Sequence, residues 1–330
     1  MSTPFPAKPR IAIIGTGALG CHYGALLVKA GLDVHFLVRS GRAAVMARGI
    51  RIKMPTERIH VRKVQVYASA AEIGPCDLVI VAIKATANAE LKNLLPPLLG
   101  PETMVLTLQN GLGVEEPVAN IAGAHRVLGA ICYIGCTRTA PGVVQCSFPG
   151  LMTIGKFGKP ASERTQALAA LWRRVGVKCT ALDNLEAQRW HKLVWNVPFN
   201  GLAIIAGGLT TDLLLADEGL RTLARRLMEE IVEAAAKFGH DIPRSFVDLQ
   251  FERTAKMGAY RPSSLIDFEE GREVELEEIW GEPVRRAKAV GVSVARLEML
   301  YWLIKRMLAA RKLIDERGLV LVAGLIGSDG

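Results

Sequence analysis

Three polar residues at four-residue steps, Lys192, Asn196 and Asn200, lie in the run RWHKLVWNVPFN. About 3.6 residues per helical turn stacks all three on one helix face. Their neighbours Leu193, Val194, Trp195, Val197 and Phe199 are apolar, so the stripe is expected on a helix that is otherwise buried. An ammonium and two amides in such surroundings are costly unless something pairs with them. A polar ligand would do so, and so would other side chains in a seam between two packed helices. Pro198 removes a backbone bond and is expected to bend the helix, and such breaks gather at functional sites.

A second group opens the chain. The apolar, β-branched run RIAII at 10–14 reads as a buried strand, and GTGALG follows directly, with Gly15, Gly17 and Gly20 in G-x-G-x-x-G spacing before a helical segment over 18–31. This strand–turn–helix context is the one the dinucleotide fingerprint needs. The first glycine allows the tight turn, and the second lets a pyrophosphate approach the backbone. The third lets the helix pack on the strand with its N–H groups aimed at phosphate. Gly15, Thr16, Gly17, Ala18, Leu19 and Gly20 are therefore the expected cofactor loop.

The next strand, 33–38, would carry an acid near its end in an NAD-binding protein. Arg39-Ser40-Gly41-Arg42 stands there instead. Two arginines and a serine suit a 2′-phosphate, which favours NADP(H) with Arg39 as a contact. Two loop arginines in solvent are the alternative. Strand 77–84 (DLVIVAIK) ends on Lys84, and strand 104–108 runs into Gln109-Asn110-Gly111. Ligands of parallel α/β sheets bind at the carboxyl ends of strands, so Lys84 and Asn110 read as one rim of a cleft.

The elements that position these groups fall into two sets. Strand-like runs at 50–54, 59–67 and 126–134, a helix at 88–95, an antiparallel pair 143–147 and 151–154, a helix reaching 175 and a strand 177–182 complete a first domain, 1–183. Asp183 with Glu186 resembles a capping box opening the helix that carries Lys192. Beyond it come amphipathic helices at 212–238, 243–256 and 294–313, and no convincing strand before an apolar tail at 319–326. Segment 261–280 has weak periodicity and many acids; it reads as a loop, either returning to the cleft or solvated. The fold class predicted is an α/β N-terminal Rossmann-like domain followed by an all-α C-terminal domain, 184–330.

Composition limits the partners. Residues 1–183 hold 21 Lys+Arg against 10 Asp+Glu (+11), and 184–330 hold 20 against 22 (−2). An anionic cofactor in the first half explains that asymmetry better than nucleic acid, since no basic run with interleaved aromatics is present. Half the residues are apolar and mean hydropathy is +0.24, yet no run of about 18 apolar residues suggests a membrane span. Six cysteines without C-x-x-C pairing read as reduced, mostly buried thiols, with no metal site. A cytoplasmic protein is expected, with a homodimer through the helical half as a possible assembly.

Taken together, GTGALG, Lys84, QNGLG at 109–113, KLVWNVPFN at 192–200 and SSLIDFEEGREVELE at 263–277 resemble the ketopantoate reductase (2-dehydropantoate 2-reductase) family over most of the chain. The resemblance implies NADPH-dependent reduction of a branched 2-oxo acid, with cofactor in the Rossmann domain and substrate in the interdomain cleft. It makes Lys192 the proton donor, Asn196, Asn200 and Ser263 substrate contacts, and Glu275 a carboxylate near the lysine and the nicotinamide. Asn110 and Lys84 fall at the cofactor–substrate junction. Against the family pattern, Ile266 stands where a glutamine is usual and Thr210 where an asparagine is frequent. These departures bear on which 2-oxo acid is taken. Competing readings are a related two-domain dehydrogenase with a His–Glu acid/base pair, for which no suitable spacing exists, and a non-catalytic NADP-binding protein.

Overall fold

The computed structural model describes residues 5–148 and 150–317, with side chains described to residue 312. The contacts divide the chain between Lys192 and Leu193 into two compact units, and the division falls within the helix Leu185–Ile205 rather than at its start.

The strands of the first unit are β1 (Arg10–Ile14), β2 (Asp33–Leu37), β3 (Ile50–Lys53), β4 (Arg58–Val61), β5 (Gln65–Tyr67), β6 (Cys76–Val81), β7 (Leu99–Thr107), β8 (Val127–Tyr133), β9 (Cys136–Ala140), β10 (Val143–Cys146), β11 (Leu151–Lys156) and β12 (Cys179–Leu182). Eight of them form one sheet in the order β12-β11-β8-β7-β6-β1-β2-β5. From β5 through β8 every neighbouring pair is parallel, and only β8 and β11 run antiparallel. Ile11, Ile13, Leu78 and Ile80 face one hydrophobic core, while Ala12, Ile14, Val79 and Val81 face another. A sheet covered on both faces needs this unbroken apolar run instead of alternation. The chain leaves β1 for β2 on one side and reaches β6 on the other, so a topological switch point lies between β1 and β6.

Two expected pairings differ. The run 59–67 is not one strand. β4 belongs to a second, four-stranded sheet in the order β4-β3-β10-β9, whereas β5 edges the main sheet, and exposed Arg62 and Lys63 lie where the run parts. Likewise 143–147 and 151–154 do not pair with each other. β10 lies between β3 and β9, and β11 lies between β8 and β12. Alternation along a strand tells which face is buried, but not which strand is its partner. β9 (CTRTA) is polar and carries no apolar signal of a strand.

The described part of the second unit is helical, as expected. The long helix anticipated at 212–238 is two, Thr211–Ala216 and Glu218–Lys237. Asp217 breaks it and accepts from the Leu220 N–H at 2.8 Å as the cap of the second. Segment 261–280 is not an open loop: Ser263–Glu269 is an α-helix, and a π-helical turn, Glu277–Gly281, leads into the helix Glu282–Ala289. The helix Leu185–Ile205 runs through Pro198 without interruption. Its Gly201 leaves room for Leu300 and for the Trp280 indole, a Cβ there falling 2.7 Å from Leu300 Cδ2. Buried Glu230 accepts from the backbone N–H groups of Arg296 and Leu297, satisfying the first turn of the helix Ala295–Arg317. The apolar run 319–326 lies outside the described residues.

All six cysteines are free, five of them buried. Among the described residues no helix is long and apolar enough to cross a membrane, and no cluster of three or more His, Cys, Asp or Glu residues could hold a metal.

Candidate active site

The glycine turn lies between β1 and the helix Ala18–Lys29. Gly15 has φ +102°, and a Cβ there would lie 2.8 Å from the Ile83 backbone nitrogen, so the turn after β1 presses on the loop after β6. At Gly20 a Cβ would come 2.0 Å from the Gly15 carbonyl oxygen. Gly17 is different: an added Cβ meets nothing nearer than 3.9 Å. The first and third glycines thus serve chain packing, whereas the second leaves open space over the helix N-terminus. The first helical bond runs from Cys21 N–H to the Gly17 carbonyl, which leaves the N–H groups of Ala18, Leu19 and Gly20 as the orphan donors of that turn. No acidic residue lies there. A pyrophosphate fits this cradle.

Arg39, Ser40, Gly41 and Arg42 follow β2, all exposed, with Gly41 at φ +74° starting the helix Arg42–Arg48. The only acid on β2 is Asp33, at its opposite end, where it takes Arg10 and Gln65. The donor set after β2 is cationic, which fits a ribose bearing a 2′-phosphate. A further basic group, missed in the sequence, is Arg138 on β9, whose Nη1 donates to the Thr16 carbonyl at 3.4 Å. Separated from the turn by 122 residues, it gives no local signal.

Lys84 does not close its strand. β6 stops at Val81, and Lys84 instead begins the 3₁₀ turn Ala85–Glu90. Asn110 stands equally far past the end of β7. Buried Gln109 ties these loops, its Nε2 donating to Ile83 O at 3.1 Å and to Asn88 Oδ1 at 2.6 Å.

Lys192 reaches the same rim. Its Nζ donates to Asn110 Oδ1 at 2.6 Å and to the Cys132 carbonyl at the end of β8 at 3.0 Å. It also lies 5.7 Å from the Tyr133 ring centroid, and the Tyr133 hydroxyl accepts from Gln188 Nε2. Part of the partner that Lys192 was predicted to need is therefore internal. Asn184, rather than Asp183, caps the start of this helix, accepting from the Ala187 N–H at 2.9 Å, while Asp183 accepts from Ala161 N. One turn before Lys192, Arg189 is buried against Glu115, both about 4% exposed. Burial pushes the Glu115 carboxyl above its usual range and the Arg189 guanidinium opposes that.

In the second unit Asn196 and Asn200 are both buried. Asn200 Nδ2 donates to the Asn196 carbonyl at 3.0 Å, and its Oδ1 accepts from the Ser264 N–H at 2.9 Å. Asn200 thereby anchors the helix Ser263–Glu269, leaving Ser263 exposed and Ser264 buried. Buried Glu275 precedes the π-helical turn. On that turn Glu278 has its carboxyl raised by burial first and by the charges of Glu275 and Glu277 after. Lys192 and Asn110 thus meet within the first unit, and Asn196, Asn200 and the 263–264 turn within the second.

A mainly parallel sheet with a glycine turn at its switch point, a cationic loop after its second strand and a helical second unit defines a dinucleotide-dependent oxidoreductase. A family profile described as ketopantoate reductase PanE/ApbA matches residues 11–159, and its C-terminal counterpart matches 184–308. The 2-dehydropantoate 2-reductase of a Nostoc species is 38% identical over 301 residues, 90% of this chain and 94% of that protein. That of Mesorhizobium japonicum is 28% identical, covering 92% and 98%. The crystal structure of 2-dehydropantoate 2-reductase from Geobacter metallireducens superposes with TM-score 0.88 at 40% identity, covering 90% of this chain and 99% of that one. A D-mandelate dehydrogenase solved with NADH and anilino(oxo)acetate shares the fold, with TM-score 0.85 at 20% identity, covering 92% and 99%. The chain belongs to the ketopantoate reductase family, whose members are oxidoreductases of the C=O/CH–OH couple that use NADP(H).

Proposed function

We propose that this chain reduces 2-dehydropantoate to pantoate with NADPH, the step in pantothenate biosynthesis named by its relatives. The observation that carries the reading is the Lys192 ammonium, held by Asn110 Oδ1 and the Cys132 carbonyl at the carboxyl ends of the strands, the edge on which the glycine turn also lies. In the proposed site Gly15 to Gly20, Arg39, Lys84 and Asn110 hold the cofactor, with Arg138 added. NADPH, when bound, supplies the hydride for the keto carbon. Lys192 gives the proton to the carbonyl oxygen as negative charge develops there, and solvent reprotonates the amine. Asn196, Asn200 and Ser263 are the proposed substrate contacts, and Glu275 is the second residue of the proposed catalytic pair. Asn200 acts in part indirectly, by fixing the turn that carries Ser263.

The domains assigned to these roles are 1–183 for cofactor and 184–330 for substrate and self-association. The enzyme is placed in the cytoplasm, in keeping with six free thiols. Exposed Met299, Trp302 and Leu303 on the helix Ala295–Arg317 are the proposed face of a homodimer; a monomer mass by light scattering at micromolar concentration would remove it. NADPH oxidation followed with 2-dehydropantoate and a panel of linear, branched and aromatic 2-oxo acids tests the function. The expected result is a kcat/KM for 2-dehydropantoate about tenfold or more above the others, the margin a well-fitted pocket gives against one missing or misplaced apolar group. A higher value for another acid overturns the substrate, and no turnover of any acid overturns the enzyme reading.

A further inference from the structure

The Arg189–Glu115 pair invites a question about cost. Two charges removed from water gain so little net stability that apolar residues of similar volume often do as well. The pair is nonetheless given room at some expense: a Cβ on Gly129, in β8, would fall 2.1 Å from Glu115 Oε1 and 2.8 Å from Arg189 Nη2. Its geometry shows what the guanidinium does there. Nε and Nη2 both donate to Glu115 Oε1, the first at 2.7 Å. Nη1 donates to the Gln109 carbonyl and to the Gly111 carbonyl, each at 3.1 Å. Those two carbonyls bracket Asn110, the residue whose Oδ1 accepts from Lys192 Nζ. Arg189 and Lys192 lie three residues apart on one helix and therefore on neighbouring faces. One helix turn thus carries the ammonium and also the clamp on the peptides that aim its acceptor.

We propose that Arg189, held in place by Glu115, is a positioning residue that sets the 109–111 turn so that Asn110 Oδ1 accepts from Lys192 Nζ and aims its ammonium at the substrate oxygen. The inference rests on the reading of Lys192 as proton donor. It concerns a residue type that only a fixed, planar, multi-donor fork can replace: a lysine at 189 could satisfy Glu115 but could not span both carbonyls as well.

The test is a set of variants assayed with NADPH and the best 2-oxo acid of the panel. The size-matched double variant Glu115→Leu/Arg189→Met removes both charges together, so its melting temperature should stay within about 5 °C of the parent, roughly the shift produced by 1–2 kcal/mol in a chain of this size. Its kcat should fall by about 10–100-fold, the range for a catalytic group misplaced by about an ångström, with KM for the acid changed far less. Arg189→Lys, which keeps a charge beside Glu115, should show the same split. In an Asn110→Ala background neither change should cost more than about twofold further, because the group they position is already gone. A folded double variant with parental kcat, or effects that multiply with Asn110→Ala, overturns the proposal. Should the double variant fail to fold, Arg189→Lys with and without Asn110→Ala decides in the same way. Lys192→Ala keeps the two readings apart: parental turnover there removes the site itself, whereas an inactive Lys192→Ala beside a fully active Arg189→Lys removes only the role of the clamp.

Discussion

Lys192→Ala is expected to lower kcat by about 10²–10⁴-fold, the contribution of a positioned general acid, while NADPH still binds. The expectation follows from how the amine is held. Lys192 Nζ is held by two neutral oxygens, Asn110 Oδ1 and the Cys132 carbonyl. These bonds orient the ammonium, which is the proposed acid. Truncation to alanine removes both the proton and the positive charge that would meet a developing alkoxide. The side chain is not part of the glycine turn, so fluorescence titration with NADPH should give a dissociation constant within about threefold of the parent, below 1 kcal/mol. Turnover within a factor of about three of the parent would rule out the assignment, since that corresponds to less than 1 kcal/mol of transition-state stabilisation.

The second large effect concerns Arg39. Alanine there should weaken NADPH binding by about 10–100-fold, as expected for the loss of one charge-assisted bond to phosphate of about 1.5–3 kcal/mol. NADH binding should change by less than about threefold, because its ribose carries no phosphate to lose. The physical basis is the chain after β2, where Arg39, Ser40 and Arg42 are exposed and no carboxylate offers itself to ribose hydroxyls. The effect should shrink as salt rises, since exposed charges are screened over about 10 Å at 0.1 M. Equal losses for the two dinucleotides would show that Arg39 does not meet the 2′-phosphate.

Much of this was legible in linear order. The strand–turn–helix at 10–29 is a local motif, and its glycines are required by contacts the sequence pattern already implies. The helical face bearing Lys192, Asn196 and Asn200 follows from periodicity alone. The break at Asp217 is legible too: an aspartate followed by a glutamate and an amphipathic stretch is a helix start whether or not a helix precedes it. The Asn184 cap lies one residue beyond Asp183, because both side chains can cap a helix and the fold gives Asp183 another donor, Ala161 N.

Composition and local spacing thus determined the class of each half, the dinucleotide turn, the cationic loop in place of an acid and the line of polar residues on one helix. The tertiary structure decided which strands pair, and so that the runs 59–67 and 143–154 each divide between two sheets. It also decided that Asn110, 82 residues from Lys192, accepts a hydrogen bond from its Nζ, and that Arg189 joins Glu115 across 74 residues. The reason is the same in each case. A periodic pattern specifies a face, because neighbours in the chain share the helix or strand that generates it. A hydrogen-bond partner from another element is specified only when the sheet order brings two strand ends side by side, and no short stretch of sequence encodes that order.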